Sequence, residues 1–168
     1  MKKEHGKVAR GEEPSESRAP TPVWPFALIV VRNSAGKFLV VQEYANTGYW
    51  LPAGQVNPAE DLQVAAARIV KEQAGITIEL TGILRVSYTP QDQIARLRVL
   101  YLAKPTDESQ SLKSVPDYDS LGAVWVDENE IEKVKLRGAE PRQWFPFVSK
   151  GGTVYSMDLM KGESAPVV

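Results

Sequence analysis

The stretch Gly54-Gln55-Val56-Asn57-Pro58-Ala59-Glu60-Asp61-Leu62-Gln63-Val64-Ala65-Ala66-Ala67-Arg68-Ile69-Val70-Lys71-Glu72-Gln73-Ala74-Gly75-Ile76 decides how the rest of the chain is read. Asn57 stands as a helix N-cap, Pro58 takes the first helical position, and Glu60, three residues past the cap, completes a capping box. Gly75 sits where a left-handed residue would stop the helix. These signals predict a helix over 58–74. Leu62, Ala66, Val70 and Ala74, spaced by four, give it a face for a core.

Upstream, Phe26–Arg32 and Lys37–Glu43 are rich in strand formers, and Asn33-Ser34-Ala35-Gly36 between them has the chemistry of a hairpin turn. Two paired strands are expected. Downstream, 76–89 and 94–104 read as long strands, 106–120 as a polar loop, and 121–126 as a short strand. Asp127 then caps a short helix through Ile131, and Glu140-Pro141 opens a last helix carrying Trp144, Phe145 and Phe147. This order implies an α+β fold with αβα layers. Residues 1–22 are polar and end in Ala19-Pro20-Thr21-Pro22, so they read as a disordered tail. The domain is expected over 23–160, with a flexible C-terminus over 161–168.

Composition narrows the chemistry. The 168 residues include no Cys, which excludes disulfides, thiolate zinc sites and cysteine nucleophiles. The one histidine, His5, lies in the tail, so an imidazole base or ligand within the domain is excluded too. Any acid–base or metal chemistry must rest on carboxylates, Lys, Tyr or backbone groups. A net charge of −1 carries no general footprint for nucleic acid or an anionic membrane. No apolar run reaches membrane-spanning length, and the N-terminus lacks the apolar core of a signal peptide. A soluble, cytoplasmic protein is expected, with no membrane partner.

The opening stretch resembles the Nudix box, the signature of a family of pyrophosphohydrolases: Gly, five residues, Glu, seven residues, then Arg-Glu-aliphatic-any-Glu-Glu-any-Gly-aliphatic. Gly54, Glu60, Arg68, Val70, Glu72, Gly75 and Ile76 match with no gap. The resemblance covers about residues 24–158 and implies the Nudix fold, a mixed β-sheet in αβα layers with the box helix on one face. It also implies cleavage of a nucleoside diphosphate-linked substrate at its pyrophosphate, with Mg²⁺ or Mn²⁺. Arg68 and Glu72 become catalytic candidates, and Gly54, through a metal-facing carbonyl, Glu72 and Gln73 become metal-site candidates.

Residues 69, 72 and 73 share one helix face. In the family's pattern all three are glutamates, which suit a hard divalent cation. This chain has Ile69, Glu72 and Gln73, so three formal charges fall to one and the metal is expected to be held weakly. Ile69 otherwise reads as a widening of the buried stripe. Arg68 and Glu72 otherwise read as an exposed i,i+4 ion pair, and Glu60 serves equally as cap or ligand. Asp92, Asp117 and Asp119 are the loop acids that could restore a ligand.

On the substrate side, Trp50 leads into the box and Leu136-Arg137-Gly138-Ala139-Glu140 precedes Trp144-Phe145. This looks like the purine-sanitising branch of the family. The likeness implies that Glu140 accepts from a base edge and Arg137 meets phosphate, with Trp50 a further substrate-binding candidate. Trp144 and Phe145 read as core before a stacking platform. Lys133, Lys135, Arg137 and Arg142 form a basic run, read as a solvated face before an RNA patch. Two functions follow: a divergent, weak Nudix hydrolase acting on a nucleotide, or a catalytically silent module binding nucleotide, RNA or protein. A homodimer through an edge strand is compatible with both.

Overall fold

The computed structural model describes residues 20–166, so nearly all of the 1–22 tail and the last two residues lie outside the described part. Strands β1 (Val23–Val31), β4 (Ala53–Gln55), β5 (Ile78–Pro90) and β6 (Ala95–Pro105) form one sheet in the order β4-β1-β6-β5. Its central pair, β1 and β6, is parallel, and the outer pairs are antiparallel. Strands β2 (Phe38–Glu43), β3 (Gly48–Trp50) and β7 (Gly122–Val126) form a second, antiparallel sheet in the order β3-β2-β7.

Helices cover both faces. Ala27, Ile29 and Val31 of β1 join a core with Ala65, Ala66, Ile69, Val70 and Ala74 of α1 (Leu62–Ala74). Leu28 and Val30 point the other way, into a core with Trp144, Phe145 and Val148 of α2 (Glu140–Ser149). A strand buried on both faces carries a continuous apolar run, as β1 does. The layered reading agrees with this arrangement.

The expected hairpin does not form as a hairpin. The turn itself is present: Asn33 N–H donates to Lys37 O at 3.0 Å, and Asn33 Oδ1 accepts from the Lys37 amide at 2.8 Å. After a single bridge, Arg32 to Phe38, the two strands diverge into different sheets. β1 spends its hydrogen bonds on β4 and β6, and β2 spends its own on β3 and β7.

The box helix also starts later than its signals suggest. Asp61, not Asn57, is the N-cap, accepting from the Gln63 amide at 2.7 Å. Asn57–Glu60 is a turn closed by Glu60 N–H to Asn57 O, and Ala59 within it has φ of 60°. A left-handed alanine cannot continue a right-handed helix. The C-terminus is as expected: Gly75, at φ of 80°, returns its N–H to Lys71 O. Asp127 precedes a 3-10 helix over Glu128–Lys133 without capping it, and pairs with Lys37 at 3.3 Å instead.

Candidate active site

Arg68 is the hub of the box. Its Nε and one terminal nitrogen fork onto both Glu60 oxygens at 2.6 and 2.7 Å, and the other terminal nitrogen meets Glu72 Oε2 at 2.9 Å. It also donates to the Gln55 carbonyl on β4 at 3.2 Å. The Arg68 fork, then the Asn57 amide donating to Oε2 at 2.9 Å, holds the Glu60 carboxyl down at about 2. Its bond to Glu60 raises the Arg68 pKa further above its ordinary value. Glu60 thus links the turn to the helix, with both oxygens spent.

The three helix positions that bear on a metal are used differently. Ile69 is 2% exposed and lies in the core, with its side chain against Gly54: a Cβ on that glycine would stand 3.1 Å from Ile69 Cδ1. Gln73 binds one residue of β4 with both ends of its amide. Its Oε1 accepts from Ala53 N–H at 3.1 Å and its Nε2 donates to Ala53 O at 2.9 Å. Glu72 is the half-exposed acid beside Arg68.

Ladder geometry explains why Ala53 is available. Ile29 N–H donates to Pro52 O and Val56 N–H to Pro25 O. Opposed residues in an antiparallel ladder alternate between bonded and unbonded pairs. Gly54 therefore directs its N–H and carbonyl at Ala27, while Ala53 and Gln55 turn theirs outward to α1. The outward carbonyls belong to Ala53 and Gln55, not Gly54, and both are occupied.

The loop acids do not assemble a replacement. Asp117 is neutralised by Lys113, whose bond lowers its pKa, and Lys113 also donates to Glu72 O at 2.8 Å. Asp92 sits in the β5–β6 turn. No group of three Asp, Glu, His or Cys able to hold a metal exists among the described residues. Ser120, fully buried and not singled out by the sequence, fastens the same loop to α1 through Gln73 O at 2.7 Å. The divalent ion implied by the box resemblance does not fit this donor set: of its three helix positions one is apolar, one is a neutral amide already paired, and one is a carboxylate shared with arginine.

The substrate-side residues do meet. Trp50 Nε1 donates to Glu140 Oε2 at 3.0 Å, and Arg98 of β6 donates to Oε1 at 3.2 Å. Burial pushes the Glu140 carboxyl up, but its own backbone N–H, the Trp50 indole and Arg98 outweigh that and hold it below the usual range. Gly138 permits the contact, since a Cβ there would lie 2.5 Å from Glu140 Oε2 and 3.1 Å from Trp50 Nε1. Arg137 stacks 4.7 Å over the Trp50 ring and pairs with Glu43 at 2.7 Å. Trp144 and Phe145 are core, with Phe145 stacked on Phe38 at 4.2 Å.

A cavity of about 150 Å³ opens beside Glu140, walled by Leu28, Arg85, Arg98, Gln143 and Trp144. A second, of about 560 Å³, continues past Arg85, Gln143 and Trp144 toward Phe147 and Tyr155. Arg85 and Arg98 were not legible as site residues. The alternation of Arg96 and Arg98 with apolar residues in β6 was the available signal, and it reads equally as a solvated strand face.

The sequence pattern of the NUDIX domain matches residues 24–147. The chain is 32% identical over 118 residues to 8-oxo-dGDP phosphatase NUDT18 of Homo sapiens, covering 68% of this chain and 36% of that protein. It is 30% identical over 121 residues to putative nudix hydrolase 1 of Caenorhabditis elegans, covering 68% of this chain and 32% of that one. The chain thus spans about a third of these relatives. Among solved structures, a NUDIX hydrolase from Nitrosomonas europaea shares the fold at a TM-score of 0.67 and 19% identity, over 86% of this chain and 99% of that one. With the pattern matched from Trp24 to Phe147, through both sheets and both helices, this chain belongs to the Nudix family.

Proposed function

We propose that the chain is a divergent Nudix hydrolase that recognises a nucleoside diphosphate-linked substrate and cleaves its pyrophosphate slowly. The observation that carries this reading is the placement of two groups on one short segment. Trp50, bonded to Glu140 beside the cleft, stands three residues from Ala53, which touches the box helix. Three extended residues span at most about 10 Å, comparable to the distance from a nucleobase to its diphosphate. Curated relatives named 8-oxo-dGDP phosphatase support a nucleotide as the ligand class.

Each residue then has a task. Ionised Glu140 only accepts hydrogen bonds, so it takes donors from a base edge, while Arg98 and Gln143 offer donors beside it. Arg137 covers Trp50 and reaches for phosphate when it exchanges Glu43 for the ligand. Glu72 is the carboxylate left to orient or deprotonate an attacking water, and Arg68 positions it. General-base help of this kind supplies about 10²–10⁴-fold, which leaves turnover slow without a carboxylate cluster. We assign the activity to residues 23–160, in the cytoplasm.

The test is product release from nucleoside di- and triphosphates, oxidised purine nucleotides, nucleotide sugars, dinucleoside polyphosphates and capped RNA, in Mg²⁺ and in Mn²⁺. Turnover on one class, reduced at least tenfold in Glu72→Gln, is the expected result. The Gln73–Ala53 pairing favours a second reading, a binding module without turnover. Silence across the panel, with one nucleotide raising Tm, would replace the first reading by the second.

A further inference from the structure

Every residue of β4 is met by one side chain of α1. Gln73 takes the amide and carbonyl of Ala53, Ile69 lies against Gly54, and Arg68 donates to the carbonyl of Gln55. β4 is the outer strand of its sheet, so the outward groups of Ala53 and Gln55 have no neighbouring strand. An unpaired strand edge demands partners, and here a helix supplies them.

Gln is suited to the Ala53 position because its amide carries both a donor and an acceptor, as a paired strand would. A glutamate at 73 would satisfy the Ala53 N–H but set a carboxylate against the Ala53 carbonyl. That arrangement of oxygens suits a cation between them; the arrangement present does not, because the Ala53 N–H and Gln73 Nε2 hydrogens fill the gap. We propose that Gln73 replaces a divalent ion as the link between the box helix and β4, so that the fold and its closed box are independent of Mg²⁺ and Mn²⁺. This holds whichever nucleotide the cleft takes.

The experiment is thermal unfolding of the full chain and of Gln73→Glu, each in EDTA, in Mg²⁺ and in Mn²⁺. The wild-type Tm is expected to be the same in all three. Gln73→Glu in EDTA should melt roughly 3–6 °C lower, the size expected from losing one paired amide in a chain this long. Mn²⁺ should recover much of that loss in the variant alone. A wild-type Tm that rises with Mg²⁺ or Mn²⁺ as much as the variant's would overturn the proposal, as would a variant that melts with the wild type in EDTA. Amide exchange at Ala53 in the wild-type chain decides the matter even where the variant fails to fold. Protection equal in EDTA and in Mg²⁺ supports the amide link; exchange at loop rates in EDTA, slowed by Mg²⁺, overturns it. Loss of turnover on the nucleotide panel leaves each of these readouts unchanged.

Discussion

Ile69 shows how a ligand position becomes part of a core. Its side chain fills the space over Gly54 and is shut off from water. Returning a carboxylate there buries a charge without a partner. Ile69→Glu is therefore expected to cost about 3–5 kcal/mol, measured by denaturant unfolding; a loss below about 1 kcal/mol would mean the face is still open. Glu60 behaves oppositely, as a charge with every bond made. Its folded pKa of about 2 lies below the ordinary carboxyl value of 4.5, so its contribution is present above pH 4.5 and is lost as pH falls toward 2. Glu60→Gln should accordingly lower Tm at pH 7 and lose that effect toward pH 2; a Tm difference constant over this range would contradict the linkage. The chain showed that 69 and 73 depart from the box, because that is a matter of residue type. It did not show where the amide of Gln73 goes, because its partner is a backbone group twenty residues away in sequence.

Among the elements, ends set by local chemistry were legible and ends set by distant partners were not. Gly75 stops α1 because a left-handed residue is needed there, and the sequence says so. The start moves from Pro58 to Leu62 because Ala59 is left-handed, in a turn that sets Glu60 against Arg68 eight residues on. The turn at Asn33–Gly36 was legible for the same reason as Gly75, but the pairing of β1 and β2 was not, since each takes its partners from far along the chain. The loop before α2 is held by Trp50–Glu140 and by Gly138 beneath it. Gly138→Ala should separate this pair and weaken binding of the panel's nucleotide about tenfold, with Tm within a few degrees of wild type. Isothermal titration checks it, and unchanged affinity would remove the Trp50–Glu140 contact from the site.

In the whole molecule, the family was legible because the box is a spacing, and spacing survives changes of residue type. The cleft was only half legible: Glu140 was visible from its place at the start of α2, with Trp50 bonded to it, whereas Arg98 and Arg85 reach it only once β6 is laid beside β1 and β5 beside β6. That parallel pairing of β1 with β6, from Val23 opposite Ala95 to Val31 opposite Ala103, joins segments about seventy residues apart. A ribosome working at roughly 5–20 residues per second releases the apolar run Ala27–Val31 about 4–14 s before its parallel partner exists. Until then β4 is the one sheet neighbour of β1 that has been made, and the edge that β6 will take stays bare and sticky.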